Sequence, residues 1–555
     1  MDGASALVKS LEKQGVEYIF GYSGGAVIPI FDALITTKTK IKFILARHEQ
    51  GATHMADGYA RASGKPGVVL VTSGPGAGNT ITGLMTAQMD SVPLVVISGQ
   101  QIQSMLGKDA FQEADVFDIS MPVVKHNYLV QDVNHLPIIV KEAFTIATSG
   151  RPGAVLIDIP KNISSSEFYG SLENITIDLP GFKAKPLVNK IDLEKAAKII
   201  NSAKKPIILV GHGAAISGAN KEVMALADKI DAFVTSTLLG KGTYPESQSR
   251  SLGMLGMHGT AYANKAVVAS DLVISVGSRF DDRIIGQASA FEKDTKIIHI
   301  DIDASEIDKM IKVDVALVGD AKETLNSLLK LINKTSHPAW SEQIKKWKND
   351  FPLNHDADKN GLTMQEVLYA IQEETTGNTI SVTDVGQHQM WASQFIKVDN
   401  PHNWLSSGGA GTMGYALPAS IGAQFARPDE LVIAIAGDGG FQMTIYELAT
   451  AAINKLPIKV FIMNNHYLGM VRQWQELFND RRYSFVDIQS PDFVQLAKAY
   501  GIHGASVDDR ELLKNALQTM LDHEGSYLLE VMVGKENNVF PMVPQGCSVS
   551  EIRLK

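Results

Sequence analysis

Two apolar runs that both end in polar residues constrain this chain more than any other feature. Val432–Ala436 stops at GDG (437–439), a helical pattern follows, and Ile458–Met463 stops at NN (464–465). The pattern predicts strand, turn, helix and strand, and ligands bind at the carboxyl ends of the strands of a parallel sheet. A carboxylate and a carboxamide supply the oxygen ligands of hard cations, and the flanking glycines let a bulky anion approach the backbone. The stretch therefore predicts a metal-bridged phosphate site.

A simpler interpretation of GDG is a turn in which the Asp and Asn side chains cap helices. The separation of the two polar strand ends (465 − 438 = 27) favours the metal–phosphate site instead. The pattern resembles that of thiamine-diphosphate-dependent enzymes. This resemblance implies that Asp438, Asn465 and the backbone carbonyl of Tyr467 hold the metal ion.

Apolar runs alternate with helical patterns along the whole chain, which predicts an α/β protein with three doubly wound parallel-sheet domains. We expect these domains at residues 1–165, 185–345 and 360–555, with a linker-like stretch at 180–189 and an Asp- and Asn-rich boundary at 348–361. The net charge of −9 argues against non-specific nucleic-acid binding. One cysteine excludes an intrachain disulfide framework. Neither a signal peptide nor an apolar stretch of about 18 residues is present, so we expect a cytoplasmic protein without a membrane partner.

Glu49 follows a predicted buried strand and opens a helical pattern. A carboxylate at a helix N-terminus is common, because the helix dipole favours it. An acid buried among apolar groups and glycines could instead exchange a proton at neutral pH. The GDG–NN site favours the second interpretation, because thiamine-diphosphate enzymes need a Glu that hydrogen-bonds the pyrimidine ring of the cofactor. Glu49 is therefore the candidate catalytic residue.

Two glycine-rich stretches are weaker candidates for phosphate loops. TSGPGAGN (72–79) lacks both GxGxxG and the P-loop lysine, so a tight turn into a helix capped by Asn79 and Thr80 is favoured. GHGAAISGA (211–219) resembles a degenerate dinucleotide loop that lacks its third glycine. Asp301, at a later strand end, could bind a ribose hydroxyl, although an ordinary Rossmann-like spacer domain is the alternative.

Longer strings extend the resemblance over essentially the whole chain. They include RHEQGATHMADGYARASG (47–64), DAFQEAD (109–115), LGMHGTAYAN (255–264), VGSRFDDR (276–283), GDGGFQMT (437–444) and GMVRQWQ (469–475). Together they resemble acetohydroxyacid synthases (acetolactate synthases), catalytic subunit. The resemblance implies condensation of two 2-keto acids with loss of CO₂, either two pyruvates to 2-acetolactate or pyruvate and 2-ketobutyrate to 2-aceto-2-hydroxybutyrate, in branched-chain amino-acid biosynthesis. Pyruvate oxidase, a simple 2-keto acid decarboxylase and an FAD-free fermentative acetolactate synthase are the alternatives.

The resemblance also implies three cofactors, thiamine diphosphate, Mg²⁺ and FAD, and a site built between two subunits. A homodimer or homotetramer is then expected, with a small regulatory subunit as a possible partner. The positions implied to bind thiamine diphosphate are Gly25, Gln387, His388, Gly411, Met413, Asp438 and Gly439. Those implied to bind FAD are Arg151, Gly211, Gly213, Thr237, Leu238, Met257, His258, Gly277, Arg279, Asp281, Arg283, Asp301 and Asp320. Those implied to contact substrate are Phe111, Gln112, Lys161, Val471 and Trp474, of which Trp474 is expected to favour 2-ketobutyrate as second substrate.

Overall fold

The computed structural model describes residues 1–180, 182, 185–287, 295–355, 357–359, 361–375 and 379–554. Within these ranges, three six-stranded sheets are formed by strands that all run parallel to their neighbours. The predicted α/β fold with three parallel sheets is confirmed. The predicted linker 180–189 and the predicted domain start at residue 360 include positions outside the described residues.

The first sheet occupies the N-terminal third of the chain. Its strands are β1 Tyr18–Gly21, β2 Lys42–Leu45, β3 Gly67–Val71, β4 Leu94–Gln100, β5 His126–Leu129 and β6 Ala154–Pro160. Their order is β2-β1-β3-β4-β6-β5. Its helices are Gly3–Lys13, Ile28–Thr36, Glu49–Ser63, Pro75–Gly78, Ile81–Asp90, Val116–Ser120, Leu136–Thr148 and Lys161–Ser165.

The central sheet has the strand order of a dinucleotide-binding Rossmann fold. Its strands are β7 Pro206–Val210, β8 Phe233–Ser236, β9 Ser251–Met254, β10 Leu272–Val276, β11 Lys296–Asp301 and β12 Val315–Val318, in the order β12-β11-β10-β7-β8-β9. Its helices are Lys190–Ser202, His212–Ile216, Asn220–Lys229, Ala261–Ala269, Asp282–Ile285, Ala321–Leu329 and Pro338–Asp350. The order reverses between β7 and β10, and ligands bind at such a switch point.

The third sheet repeats the order of the first. Its strands are β13 Ile380–Thr383, β14 Trp404–Ser406, β15 Val432–Gly437, β16 Lys459–Asn464, β17 His503–Val507 and β18 Tyr527–Met532, in the order β14-β13-β15-β16-β18-β17. Its helices are Met364–Thr375, Gln387–Phe395, Ala416–Ala426, Asp438–Gln442, Leu448–Ile453, Gly469–Phe478, Phe493–Ala499 and Arg510–Asp522. In the part of the chain that the structure describes, none of the helices has the length and apolar character that crossing a bilayer requires.

Equivalent helices of the first and third sheets, Glu49–Ser63 and Ala416–Ala426, pack directly against each other. A Cβ on Gly58 would lie 2.0 Å from the carbonyl oxygen of Ala419, and one on Gly422 would lie 1.8 Å from that of Met55. Glycine is therefore required on both helices at their closest approach. Apolar residues around this contact join the two sheets into one hydrophobic core.

Candidate active site and cofactor sites

The GDG and NN motifs lie side by side at the carboxyl edge of the third sheet. β15 pairs with β16 so that Gly437 lies opposite Met463, and polar residues follow on both strands. Asp438 is only 2% exposed and accepts a hydrogen bond from Ser490 Oγ at 2.9 Å. Burial raises the pKa of Asp438 to about 6, although the bond from Ser490 acts in the opposite direction. A bound cation would stabilise the ionised carboxylate at this position.

The two asparagines of the second strand end have different partners. Asn464 donates through Nδ2 to Glu530 Oε1 at 2.8 Å, which ties its side chain to the neighbouring strand β18. Asn465 instead accepts the backbone N–H of Tyr467 through Oδ1 at 3.0 Å. The structure thus brings the predicted metal-binding residues Asp438, Asn465 and Tyr467 to the same edge of the sheet.

His388 and Gln387, which are predicted to contact the diphosphate, follow β13. They differ in whether their polar atoms already have hydrogen-bond partners. The His388 ring packs on Gly437, where a Cβ would lie 2.9 Å from Nδ1, and burial lowers the pKa of His388 to about 4. Its Nε2 is buried without a hydrogen-bond partner among the described residues, so an oxygen of a bound anion could occupy this position. The Gln387 amide nitrogen, in contrast, already donates to Gln473 Oε1 at 2.9 Å and to the carbonyl of Asn537 at 3.0 Å.

The loop 407–414 brings Met413 beside Gly439. A Cβ on Gly439 would lie 2.9 Å from Leu468 Cδ2 and 3.7 Å from Met413 Cε, so this backbone is closely covered. Sequence reasoning missed Asp384, which fixes the end of the loop by accepting the N–H groups of Gly414 at 3.0 Å and Ala416 at 3.1 Å. Burial raises the pKa of Asp384 to about 6. Asp384 directly follows β13, and a carboxylate after an apolar run was the signal available in the sequence.

A cavity of about 880 Å³ joins the central domain to this loop. Every predicted FAD position except Gly211 lines it, and so do Gly411, Met413, Val471 and Trp474. Gly211 lies behind the wall, where a Cβ would be 2.2 Å from the carbonyl oxygen of Gly277. The turns after β7 and β10 therefore touch backbone to backbone at the topological switch point. Arg283 lies over the Trp474 ring at 5.8 Å, which connects the predicted FAD and substrate positions.

The predicted substrate residues of the first domain do not line this cavity. Phe111 is 83% exposed, and Gln112, with φ +58°, has its backbone against Gly74. Lys161 begins the helix after β6 and is half-buried. Within one chain, Phe111, Gln112 and Lys161 therefore do not share this cavity with Trp474.

Glu49 also lies outside the cavity, at the start of the helix Glu49–Ser63. It is 8% exposed, and its Oε2 accepts a hydrogen bond from Asn79 Nδ2 at 3.0 Å. The predicted capping by Asn79 and Thr80 is wrong, because Asn79 donates to Glu49 and the Thr80 side chain accepts no N–H of the following helix. Gly25 begins a short 3₁₀ turn, and a Cβ built on it would have open space around it in the part of the chain that the structure describes.

A second carboxylate that sequence reasoning missed, Glu447, supports the start of the Glu49 helix. It is fully buried and accepts the backbone N–H groups of Arg47 and His48, both at 3.1 Å. A Cβ on Gly51 would lie 2.2 Å from Glu447 Oε1, so glycine makes room for the carboxylate. Burial raises the pKa of Glu447, although its hydrogen bonds oppose that shift.

Three family models match the chain in the same order as its sheets. They describe the N-terminal TPP-binding domain, the central domain and the C-terminal TPP-binding domain of thiamine pyrophosphate enzymes, and they match residues 1–119, 193–328 and 384–531. The fold and the strand-end site thus define a thiamine-pyrophosphate-dependent enzyme.

Curated relatives define the family within this class. The acetolactate synthase large subunit of Parasynechococcus marenigrum is 46% identical over 561 residues, covering 100% of this chain and 91% of that protein. Those of Pyropia yezoensis and Corynebacterium glutamicum are 45% and 44% identical, covering 99% and 100% of this chain and 95% and 90% of those proteins. The chain belongs to the acetolactate synthase large-subunit family, which confirms the family and the carboligase activity predicted from its sequence.

Proposed function

We propose that the chain condenses two 2-keto acids with loss of CO₂ in branched-chain amino-acid biosynthesis, using thiamine diphosphate, Mg²⁺ and FAD. Pyruvate is the first substrate, and the second is pyruvate, giving 2-acetolactate, or 2-ketobutyrate, giving 2-aceto-2-hydroxybutyrate. One observation carries this proposal: a single cavity connects the Rossmann switch point of the central domain with Met413, Val471 and Trp474. The site thus has room for a dinucleotide beside the predicted substrate wall.

Asp438, Asn465 and the Tyr467 carbonyl would hold Mg²⁺, and His388 and Gly439 would contact the diphosphate. The buried Asp438 carboxylate and the unpartnered His388 Nε2 both fit such a group. Thiamine diphosphate supplies the electron sink that lets a 2-keto acid lose CO₂. Met413, Val471 and Trp474 line the cavity and would cover the bound group there. Such a cover is needed because protonation before the second condensation would release acetaldehyde.

Glu49 would reach the cofactor only from a second subunit. It lies in the first domain outside the cavity, beside Asn79 rather than beside Asp438. In a homodimer, the Glu49 carboxyl would hydrogen-bond the pyrimidine ring nitrogen of cofactor held by the other chain, and Phe111, Gln112 and Lys161 would approach Trp474. The proposed domains are 1–165, 185–345 and 360–555. The names of the relatives, large subunits, support a small regulatory partner for this chain as well.

Product analysis tests the proposal. Purified protein is incubated with pyruvate, with and without 2-ketobutyrate, and each of the three cofactors is omitted in turn. Acetolactate and 2-aceto-2-hydroxybutyrate that depend on thiamine diphosphate and Mg²⁺ are the expected products. Acetaldehyde alone would identify a decarboxylase, and oxygen consumption coupled to pyruvate would identify an oxidase. A visible spectrum without flavin bands, in an active preparation, would contradict the assignment of FAD.

A further inference from the structure

A buried ionic cluster that borders the cavity of the central domain holds the loop 407–414 from the first domain. Its members are Asp57 and Arg61 on the helix Glu49–Ser63 and Asp90 at the end of the helix Ile81–Asp90. Arg61 donates to Asp57 Oδ1 at 2.7 Å and to Asp90 Oδ2 at 2.8 Å. One guanidinium thus contacts both carboxylates, and neutral N–H and O–H donors satisfy their other lone pairs, as burial requires.

Asp90 also binds the loop itself. Its Oδ2 accepts the backbone N–H of Gly408 at 3.0 Å, and its Oδ1 accepts that of Gly409 at 2.6 Å. Four residues earlier on the same helix, the hydroxyls of Thr86 and Thr412 are hydrogen-bonded at 2.7 Å. One helix therefore fixes the loop at two points on either side of Gly411.

The same carboxylate borders the cavity of the central domain. Asp90 lines that cavity, and its own backbone carbonyl is 2.7 Å from Nδ1 of His212, the first residue of the helix His212–Ile216 after β7. A Cβ on Gly409 would lie 3.1 Å from Asp90 Oδ1 and 3.4 Å from Arg279 Nη2, so Asp90 and a predicted FAD residue both lie close to the loop at this position. All three domains meet at Asp90.

We propose that Asp90 is a positioning residue that holds the loop 407–414 in the shape that presents Gly411 and Met413 to thiamine diphosphate, while it closes the wall of the flavin cavity. The inference rests on the proposed function, because it takes both cofactor positions from it. A buried carboxylate with three donors keeps its geometry only if every donor stays paired. In Asp90→Asn one acceptor oxygen becomes a donor, so Gly408, Gly409 or Arg61 loses its partner.

The matched control is Asp57→Asn. Asp57 is equally buried and bonds the same Arg61, but its remaining side-chain partner is the Tyr415 hydroxyl at 2.5 Å rather than a loop N–H. Both variants should lower the thermal midpoint of the enzyme. Only Asp90→Asn should raise, by about tenfold or more, the thiamine diphosphate concentration that half-saturates the enzyme, as supporting contacts behind ligands usually do. It should also lower the flavin absorbance retained per chain.

Cofactor binding is measured by tryptophan fluorescence during titration with thiamine diphosphate and Mg²⁺, and by acetolactate formation. If Asp90→Asn and Asp57→Asn are half-saturated at the same thiamine diphosphate concentration, the inference is overturned. If Asp90→Asn does not fold, Thr86→Val is tested instead, because it removes the hydrogen bond between Thr86 and Thr412. It should raise the thiamine diphosphate concentration that half-saturates the enzyme about threefold. An unchanged concentration would also overturn the inference. A wild-type chain that binds the cofactor but forms no acetolactate would refute the proposed function, and the fluorescence titrations would still decide the role of Asp90.

Discussion

The backbone N–H of His48 donates to Glu447 Oε1 at 3.1 Å, and Glu49 is the next residue along the chain. A carboxylate of the third domain thus fixes the segment of the first domain that carries the proposed catalytic acid. Because Glu447 also accepts the Thr450 hydroxyl at 2.6 Å, its own position is fixed within the third domain.

Glu447→Gln should lower kcat about tenfold or more, because a misplaced Glu49 would meet the cofactor in a poor geometry. The variant amide turns a donor toward backbone N–H groups, which should also cost about 1–3 kcal/mol of unfolding free energy. Steady-state kinetics at saturating cofactors and chemical denaturation measure the two effects. Glu17→Gln, which removes an exposed ion pair with Lys65, is the control and should change both little. A Glu447→Gln enzyme with the kcat of wild type would contradict the proposal that Glu447 positions Glu49.

Glu49→Gln should lower acetolactate formation about 10²-fold or more while leaving the thermal midpoint near that of wild type. Because the proposed site takes Glu49 and Asp438 from different chains, mixing inactive Glu49→Gln and Asp438→Ala chains should restore activity. Random dimers would regain about a quarter of wild-type activity, since half are mixed and each mixed dimer has one intact site. Absence of complementation after subunit exchange would argue for a site within one chain.

Trp474→Leu should reduce the preference for 2-ketobutyrate over pyruvate as second substrate. A flat wall beside one extra methylene discriminates by about 1–3 kcal/mol, equivalent to a change of about 10- to 200-fold in product ratio. The measurement is the ratio of the two products when both keto acids compete. Phe478→Leu, a neighbour whose ring centre lies 6.1 Å from that of Trp474, does not line the cavity and should leave the ratio unchanged.

Gly277→Ala should release flavin. Gly277 has φ +63°, and a Cβ there would lie 2.4 Å from the backbone nitrogen of Ala214 across the switch point. Gly218 has the same φ, yet among the described residues beyond its immediate chain neighbours none places an atom within 4 Å of a Cβ built on it. Gly218→Ala therefore shares the backbone strain, about 1–2 kcal/mol, without the collision. The visible flavin absorption per chain should fall in Gly277→Ala and not in Gly218→Ala. If both variants lose the same amount of flavin, backbone strain alone explains the loss.

Asp158 predicts a pH dependence of stability. It is buried within β6, where it accepts hydrogen bonds from Ser98 Oγ at 2.6 Å and Gln100 Nε2 at 2.9 Å. Burial nevertheless raises the pKa of Asp158 to about 7. The folded chain thus keeps a proton that the unfolded chain has lost, and its stability falls as pH rises from about 4 to about 7.

Asp158→Asn removes this ionisation. Relative to the variant, wild type should lose about 1.4 kcal/mol of unfolding free energy per pH unit across that window. Denaturation at pH 5, 6 and 7 measures the difference. A difference that does not change with pH would show that Asp158 is ionised throughout.

Strands with an unbroken apolar run could be predicted from the sequence more readily than exposed edge strands. The strand before Glu49, β2, was predicted to be buried; that prediction is wrong, because β2 is an edge strand of mixed exposure. β15 and β16 are buried on both faces and contain the apolar runs 432–436 and 460–463. β5 and β17 lie at the edges of their sheets, and their mixed exposure gives no such run. Glu49 and Asp438 could be found because strand ends mark ligand sites. Asp90 and Glu447, in contrast, accept hydrogen bonds from backbone groups more than 300 positions away, and no local sequence pattern encodes such contacts.

The packing of the helix Glu49–Ser63 against Ala416–Ala426 has a consequence for synthesis on the ribosome. The second helix is translated roughly 350 residues after the first, a delay on the order of 20–70 s at usual elongation rates. Until then Ala52, Met55 and their neighbours lack the surface of Leu417 and Ile421 that covers them. We therefore expect the nascent chain to expose this unfinished apolar face through most of its translation, the kind of surface that chaperones bind and that a C-terminal truncation would leave uncovered.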